Sequence, residues 1–179
     1  NEKYNLEIKL RIQDIEKDVW NNLARDLNNP FYEWEWILNL ETSQSVSQKT
    51  GWQPLYFLLY LDKELYGIAP LFLKNHSYGE FIFDQSFARL AQDLNLAYYP
   101  KLIGMSPYSP IEGYQFIYKK NSDKLETTEI LLKYIDVFAQ KNNILSCNFL
   151  YIDKEWEKLL SKYNYHKWIN IRSQWDSIG

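Results

Sequence analysis

Two apolar runs joined by a polar pair constrain this chain more than any other feature. "LYFLLYL" (55–61) and "ELYGIAPLFLK" (64–74) meet across Asp62 and Lys63, the pattern of an antiparallel hairpin. Neither run alternates apolar with polar residues, so the hairpin is expected to be buried on both faces. A sheet of that kind needs a covering layer on each side, and the rest of the chain must supply it.

The flanking segments read as that supply. Tyr4, Leu6, Ile8, Leu10 and Ile12 alternate with polar residues and predict a first strand. From Asp14, taken as a cap, Ile15, Val19, Trp20, Leu23 and Leu27 fall on one helical face, and "NNP" (28–30) stops the helix. A second helix starts at Pro30 with Phe31, Trp34 and Leu38. The serine-rich loop 42–54 is expected to be mobile. After the hairpin come a turn, "NHSYG" (75–79), and "EFIFD" (80–84) as the third strand of a meander.

"SFARLAQDLNL" (86–96) then has helical spacing, and "YYPKLIGMS" (98–106) reads as a strand. A short strand over 114–118 leads to the longest helix, 123–141, with a stripe of Leu125, Ile130, Leu131, Tyr134, Ile135 and Phe138. Strand 144–152, a helix over 153–163 capped by Asp153, and a closing strand from Tyr165 to about Trp175 complete the order. The expected class is α/β: a mixed sheet with an antiparallel start, helices on both faces and parallel pairing around the later crossovers. Trp20, Trp34, Phe57, Phe81, Phe83 and Phe138 are the expected aromatic core.

With 179 residues, 46% of them hydrophobic, the chain is expected to form one domain with a sizeable core. A net charge of -3 and scattered lysines and arginines argue against a basic nucleic-acid surface, and DNA is not an expected partner. Cys147 lies in the apolar run "ILSCNFLYI" and reads as a structural thiol in a reducing compartment. No run approaches the ~20 apolar residues of a membrane span. The beginning of the chain lacks a signal-peptide pattern, so a cytoplasmic protein is expected. The two histidines, His76 and His166, are far apart and no metal site is expected.

"NHSYGE" supports two readings. In one it is a tight turn: Asn75 and Gly79 tolerate positive φ, His76 and Ser77 bond the turn backbone, and Tyr78 packs at the rim. In the other it is a polar site at the strand ends. A Ser-His-Asp triad is unlike this arrangement, since neighbouring turn residues point apart. Trp52 and Tyr99, beside turn residues, are candidates for stacking on a sugar ring or a base.

The element order is similar to that of the GNAT-type N-acetyltransferase fold. Three ordered blocks go further: "NPFYEWEWILNLETSQSVSQKTGWQP", "APLFLKNHSYGEFIFDQSF" and "YYPKLIGMSPYSPIEG" resemble the FemAB-like family of peptidoglycan biosynthesis or recognition proteins. Asn75 stands where relatives often carry serine, and Gln174 where they often carry histidine. Such relatives have two acyltransferase-like halves in tandem, so the resemblance implies that this chain, 1–179, is one domain and the first half of a longer protein.

It further implies an acyl- or aminoacyl-transferase domain acting on an amine, with Glu80 or His76 as proton acceptor. Trp52, Ser77, Tyr78, Asp84, Tyr98, Tyr99 and Lys101 would contact an acyl donor or glycopeptide acceptor. The alternative is a non-catalytic half that retains the fold and recognises substrate. Acetyltransferases of this fold hold the coenzyme A pyrophosphate on a Gly-rich turn at the N-terminus of the helix after the meander. "FDQSFARL" has no such turn and places Asp84 where the anion would sit, so no cofactor is expected. A third reading is self-association through exposed aromatics.

Overall fold

The computed structural model describes residues 4–169. In chain order its elements are β1 (Tyr4–Lys9), α1 (Lys17–Ala24), α2 (Trp34–Thr42), β2 (Trp52–Leu61), β3 (Glu64–Lys74), α3 (Gln85–Asp93), β4 (Lys101–Gly104), β5 (Ile117–Tyr118), α4 (Lys124–Lys141), β6 (Cys147–Phe149) and α5 (Lys154–Leu160). The hairpin β2–β3 is its centre. Asp62 (φ 50) and Lys63 (φ 69) are both left-handed, and a two-residue turn of that kind matches the twist of the strands it joins. Pairing runs from Leu61↔Glu64 to Trp52↔Lys74 with one irregularity beside Leu59.

The sheet order is β1-β2-β3-β4-β6, with β5 also on β3. β1 is antiparallel to β2, and β4 is antiparallel to β3. β6 returns parallel to β4 after the α4 crossover. Strand neighbours Tyr56 and Phe57 point to opposite faces. Trp20 of α1 packs edge-on against Tyr56 at 5.5 Å, and Phe138 of α4 against Phe57 at 5.4 Å. Both faces are thus covered, as two wholly apolar strands require. Complete burial of Phe57 and Leu59 is worth about 1.5–3 kcal/mol each.

Several expectations need correction. Residues 80–84 form no strand; β4 is the third strand of the meander, and α3 is a helix inserted between β3 and β4. Phe81 has φ 58, a left-handed conformation that breaks an extended run. Phe81 and Phe83 are 52% and 80% exposed while Glu80 and Asp84 are buried, the reverse of the expected facing. Asp14 caps nothing; it takes the Arg11 guanidinium at 2.7 Å, and α1 begins after a further turn. Loop 42–54 is built rather than loose: Val46 is buried and donates to the Leu40 carbonyl, and the Thr50 hydroxyl donates to Ser45 and Ser47 carbonyls. The closing strand is absent over 165–169, and its remainder, with Gln174, lies outside the described residues.

The expected cap Asp153 holds, accepting from the Trp156 amide, and Asp123 caps α4 in the same way, accepting from the Leu125 and Glu126 amides. No helix among the described residues is long and apolar enough to cross a membrane.

Candidate functional site

The register of β3 with β4 sets Phe72 opposite Ile103 and Lys74 opposite Lys101. Alternation along each strand then turns both lysines to the same face as Phe72 and Ile103, into the protein. Lys74 is 0% exposed and Lys101 1%. Two like charges facing each other across a sheet are destabilising. Compensation comes from the segment that follows the 75–79 turn, where Glu80 and Asp84 fold inward.

Lys101 Nζ donates to Glu80 Oε2 at 2.8 Å, to Asp84 Oδ2 at 2.5 Å and to Ser77 Oγ at 2.8 Å, which uses all three of its protons. Lys74 Nζ donates to the Tyr78 carbonyl at 2.9 Å and lies 3.9 Å from Glu80 Oε1. It also sits 3.5 Å over the Trp52 ring. The cluster is electroneutral, two ammoniums against two carboxylates.

The two pairs are unequal. Burial pushes Asp84 up, but hydrogen bonds from Lys101 and Tyr98 outweigh it and hold the carboxyl below its usual range. Burial raises Glu80, and the Lys101 and Lys74 charges only partly resist. Burial pushes the Lys74 ammonium down to about 7, against the Glu80 charge and helped by Lys101. Asp84 and Lys101 are therefore a fixed ion pair. Lys74 and Glu80 are a looser pair, in which burial weakens the charge on both partners.

Tyr98 and Tyr99 roof the cluster. The Tyr98 hydroxyl donates to Asp84 Oδ2 at 2.6 Å, Tyr99 shares a 2.7 Å hydrogen bond with Ser77, and the two rings meet edge-on at 4.9 Å. Their outer side opens on a groove of about 750 Å³ along α3.

Of the sequence-predicted residues, Ser77, Glu80, Asp84, Tyr98, Tyr99 and Lys101 come together. Trp52 does not offer a stacking face, since it is fully buried between Phe72, Tyr108 and Lys74. His76 spends both ring nitrogens on backbone: Nδ1 accepts from the Tyr78 amide at 3.1 Å, so Nε2 carries the proton and donates to the Thr50 carbonyl at 2.9 Å. Tyr78 is 79% exposed at the rim. Gly79 takes the expected positive φ, 81°, and a Cβ there would strike the Tyr108 ring; Asn75 does not take one. Lys74 was not among the expected site residues. Its signal was parity: it shares the inward register of Phe72, two positions earlier.

The other end of β4 is sealed. Ligands of open α/β sheets sit outside the carboxyl ends of parallel strands, here Gly104 and Phe149. Tyr114 fills that place, stacked on Phe149 at 6.0 Å with its hydroxyl on the Pro70 carbonyl at 2.7 Å. The Gly113 and Tyr114 amides both donate to the Tyr151 carbonyl. A Cβ on Gly104 would come within 2.5 Å of the Tyr114 ring, so only glycine permits the closure. The helix that follows the meander is α4, not the expected α3, and its N-terminal amides are already taken by Asp123, with Glu126 adding charge in the first turn.

Two further groups are structural. Glu41 accepts from the Ile12 amide and the Tyr56 hydroxyl, bracing α2 against the sheet. Burial pushes the Cys147 thiol up to about 12, unlike a nucleophile. No group of three or more metal-ligating side chains occurs among the described residues.

Solved structures similar to this chain include two acetyltransferases and a possible third. A possible acetyltransferase from Clostridium difficile 630 matches with TM-score 0.54 and 14% identity over 97% of this chain and 99% of its own. An aminoglycoside acetyltransferase from an uncultured soil metagenomic sample, solved with trehalose, matches with TM-score 0.54 and 10% identity over 98% and 99%. An aminoglycoside N-acetyltransferase solved with CoA gives 0.53 and 10% over 97% and 95%. At such identities the likeness shows the fold, an acyltransferase-like α/β domain. No curated protein matches the chain. The family model for peptidoglycan biosynthesis/recognition matches residues 11–179, and the chain belongs to that FemAB-like family.

Proposed function

We propose that this domain is a recognition half in peptidoglycan-directed acyl or aminoacyl transfer. It holds an amine-bearing glycopeptide acceptor, and a second acyltransferase-like half of a longer protein performs the transfer. The observation that carries this reading is the closure of the places where a donor would enter: Tyr114 occupies the strand-end crevice, and Asp123 occupies the anion-binding end of α4. Coenzyme A, the ligand of one structural neighbour, does not fit these residues. Its pyrophosphate would meet two carboxylates, Asp123 and Glu126, and the nearby Lys119 is already paired with Glu64 at 2.6 Å. A cytoplasmic location agrees with the free Cys147.

A second reading is favoured by Glu80. A carboxyl raised by burial, next to an amine lowered by burial, is suited to take a proton from an attacking amine once the Ser77–Tyr99 contact opens.

Titration calorimetry and a transfer assay on the chain separate the two. Saturable binding of an amine-bearing muropeptide, with no acetyl-CoA binding and no transfer, is expected. Acyl transfer by the chain alone, lost in Glu80→Gln at unchanged melting temperature, would establish the second reading instead.

A further inference from the structure

The groove outside the tyrosine roof has a composition that identifies a ligand class. Gln85, Arg89 and Gln92 stand at i, i+4 and i+7 of α3, on one helical face, and with Asn95, Tyr98 and Tyr99 they line the groove. Ala88, between them, keeps its floor low. The tyrosines are not loose surface rings. Each hydroxyl is tied inward, to Asp84 or to Ser77, and Lys101 Nζ lies 5.5 Å and 5.7 Å from the two ring centroids. The platform is thus held in place by buried ions before any ligand arrives, which lowers the ordering cost of binding.

The other groove side chains are unspent. Gln85, Arg89, Gln92 and Asn95 have no side-chain hydrogen bond or ion pair among the described residues. A tyrosine face suits the C–H face of a pyranose, amides suit its hydroxyls, and a guanidinium pairs with a carboxylate in bidentate fashion.

We infer that this groove binds a saccharide carrying a carboxylate, with Arg89 on the carboxylate and Tyr98 and Tyr99 against the ring. The inference rests on the recognition reading above for its biological acceptor, but not for its chemistry. In a glycopeptide whose muramyl carboxyl is spent in the amide bond to the peptide, the carboxylate that meets Arg89 is one of the peptide's own, and the acceptor amine lies away from it.

The test is binding of three probes to the whole chain, followed by amide chemical shifts. The probes are the N-acetylglucosamine–N-acetylmuramic acid disaccharide, neutral di-N-acetylchitobiose and digalacturonic acid. Arg89→Gln is compared with wild type, together with Arg89→Lys, which keeps the charge without the bidentate fork. The acidic disaccharides are expected to bind at least tenfold tighter than chitobiose, to shift Tyr98 and Tyr99, and to lose about tenfold in Arg89→Gln, with Arg89→Lys between. Arg89 is exposed, so these variants are expected to fold normally.

Equal affinity for neutral and acidic sugars, or an Arg89→Gln variant that binds as wild type does, would overturn the inference while a muropeptide signal left the recognition reading standing. Digalacturonic acid bound through Arg89 with no muropeptide binding would support the groove and sink the recognition reading. No binding of any of the three saccharides overturns the inference, and the muropeptide titration alone then decides the recognition reading.

Discussion

The two ends of β4 solve the same problem in opposite ways. At Gly104 the sheet is closed by an aromatic plug, Tyr114 on Phe149 beside Trp156, with Tyr114 presenting one hydroxyl to one carbonyl. At Lys101 it is closed by ionisable groups, two lysines and two carboxylates buried together. The plug gains from every contact and leaves no polar debt. The ionic end exchanges hydration for a network that holds only while each partner is present. The difference teaches where a ligand is to be sought: beside the polar end, whose roof already orders two tyrosines, and not at the strand ends where the fold would usually place it.

The sharpest way to break this contrast is Lys101→Met. It leaves Glu80 and Asp84 buried without their shared cation and is expected to cost about 3–5 kcal/mol in urea unfolding at pH 7. Adding Glu80→Gln and Asp84→Asn to the same variant is expected to recover most of that loss. A triple variant no more stable than the single would show that the lysine acts by packing alone.

At the sealed end Gly104→Ala drives a methyl into Tyr114, and a loss of about 1–3 kcal/mol is expected from overpacking. Adding Tyr114→Leu should return part of it; additive losses would place the strain elsewhere.

The third effect is a pH slope found only at the ionic end. An unfolded lysine keeps its proton to 10.5, whereas Lys74 in the fold releases it at about 7. Between those values the unfolded chain binds more protons, so stability rises with pH, by up to about 1.4 kcal/mol per unit. Glu80 acts in the opposite sense at lower pH, since its raised folded value makes stability fall as pH climbs from 4.5. Asp84 contributes stability above 3.8 that is lost as acid titrates it in the fold. Unfolding midpoints from pH 7 to 8.5 are expected to climb in wild type and to flatten in Lys74→Met; parallel curves would remove Lys74 from the titration.

The smallest effect is expected at Phe83→Ser. That ring is 80% exposed, and a change within about 0.5 kcal/mol is expected, where a core phenylalanine would cost several times more.

That last residue marks the limit of what the sequence made legible. The hairpin, the α4 helix and the Asp153 cap follow from local rules, although Leu125 of the expected α4 stripe is exposed and Leu132 is buried instead. "EFIFD" obeyed the same local rule and misled, because its carboxylates are drawn inward by lysines 6 to 21 positions away in sequence whose alignment is a property of the β3–β4 register. The site residues were legible as types: Ser77, Glu80, Asp84, Tyr98, Tyr99 and Lys101 meet. Their roles were not, since Trp52 reads as exposed beside its turn until Lys74 and Tyr108 close over it. The plug was invisible for a related reason, as nothing near Gly104 in sequence announces that a tyrosine ten positions on will fold back against it.

The charge-balanced quartet also restricts how this sequence can change over generations. Loss of any one member leaves a buried charge, so single substitutions at 74, 80, 84 and 101 are selected against even where each pair would be replaceable together. Descendants should therefore exchange these positions in concert, a lysine leaving with its acid. A lineage that has crossed to an apolar version would have done so through a compensating intermediate, leaving correlated columns as the trace of a contact that spans the chain from β3 to β4.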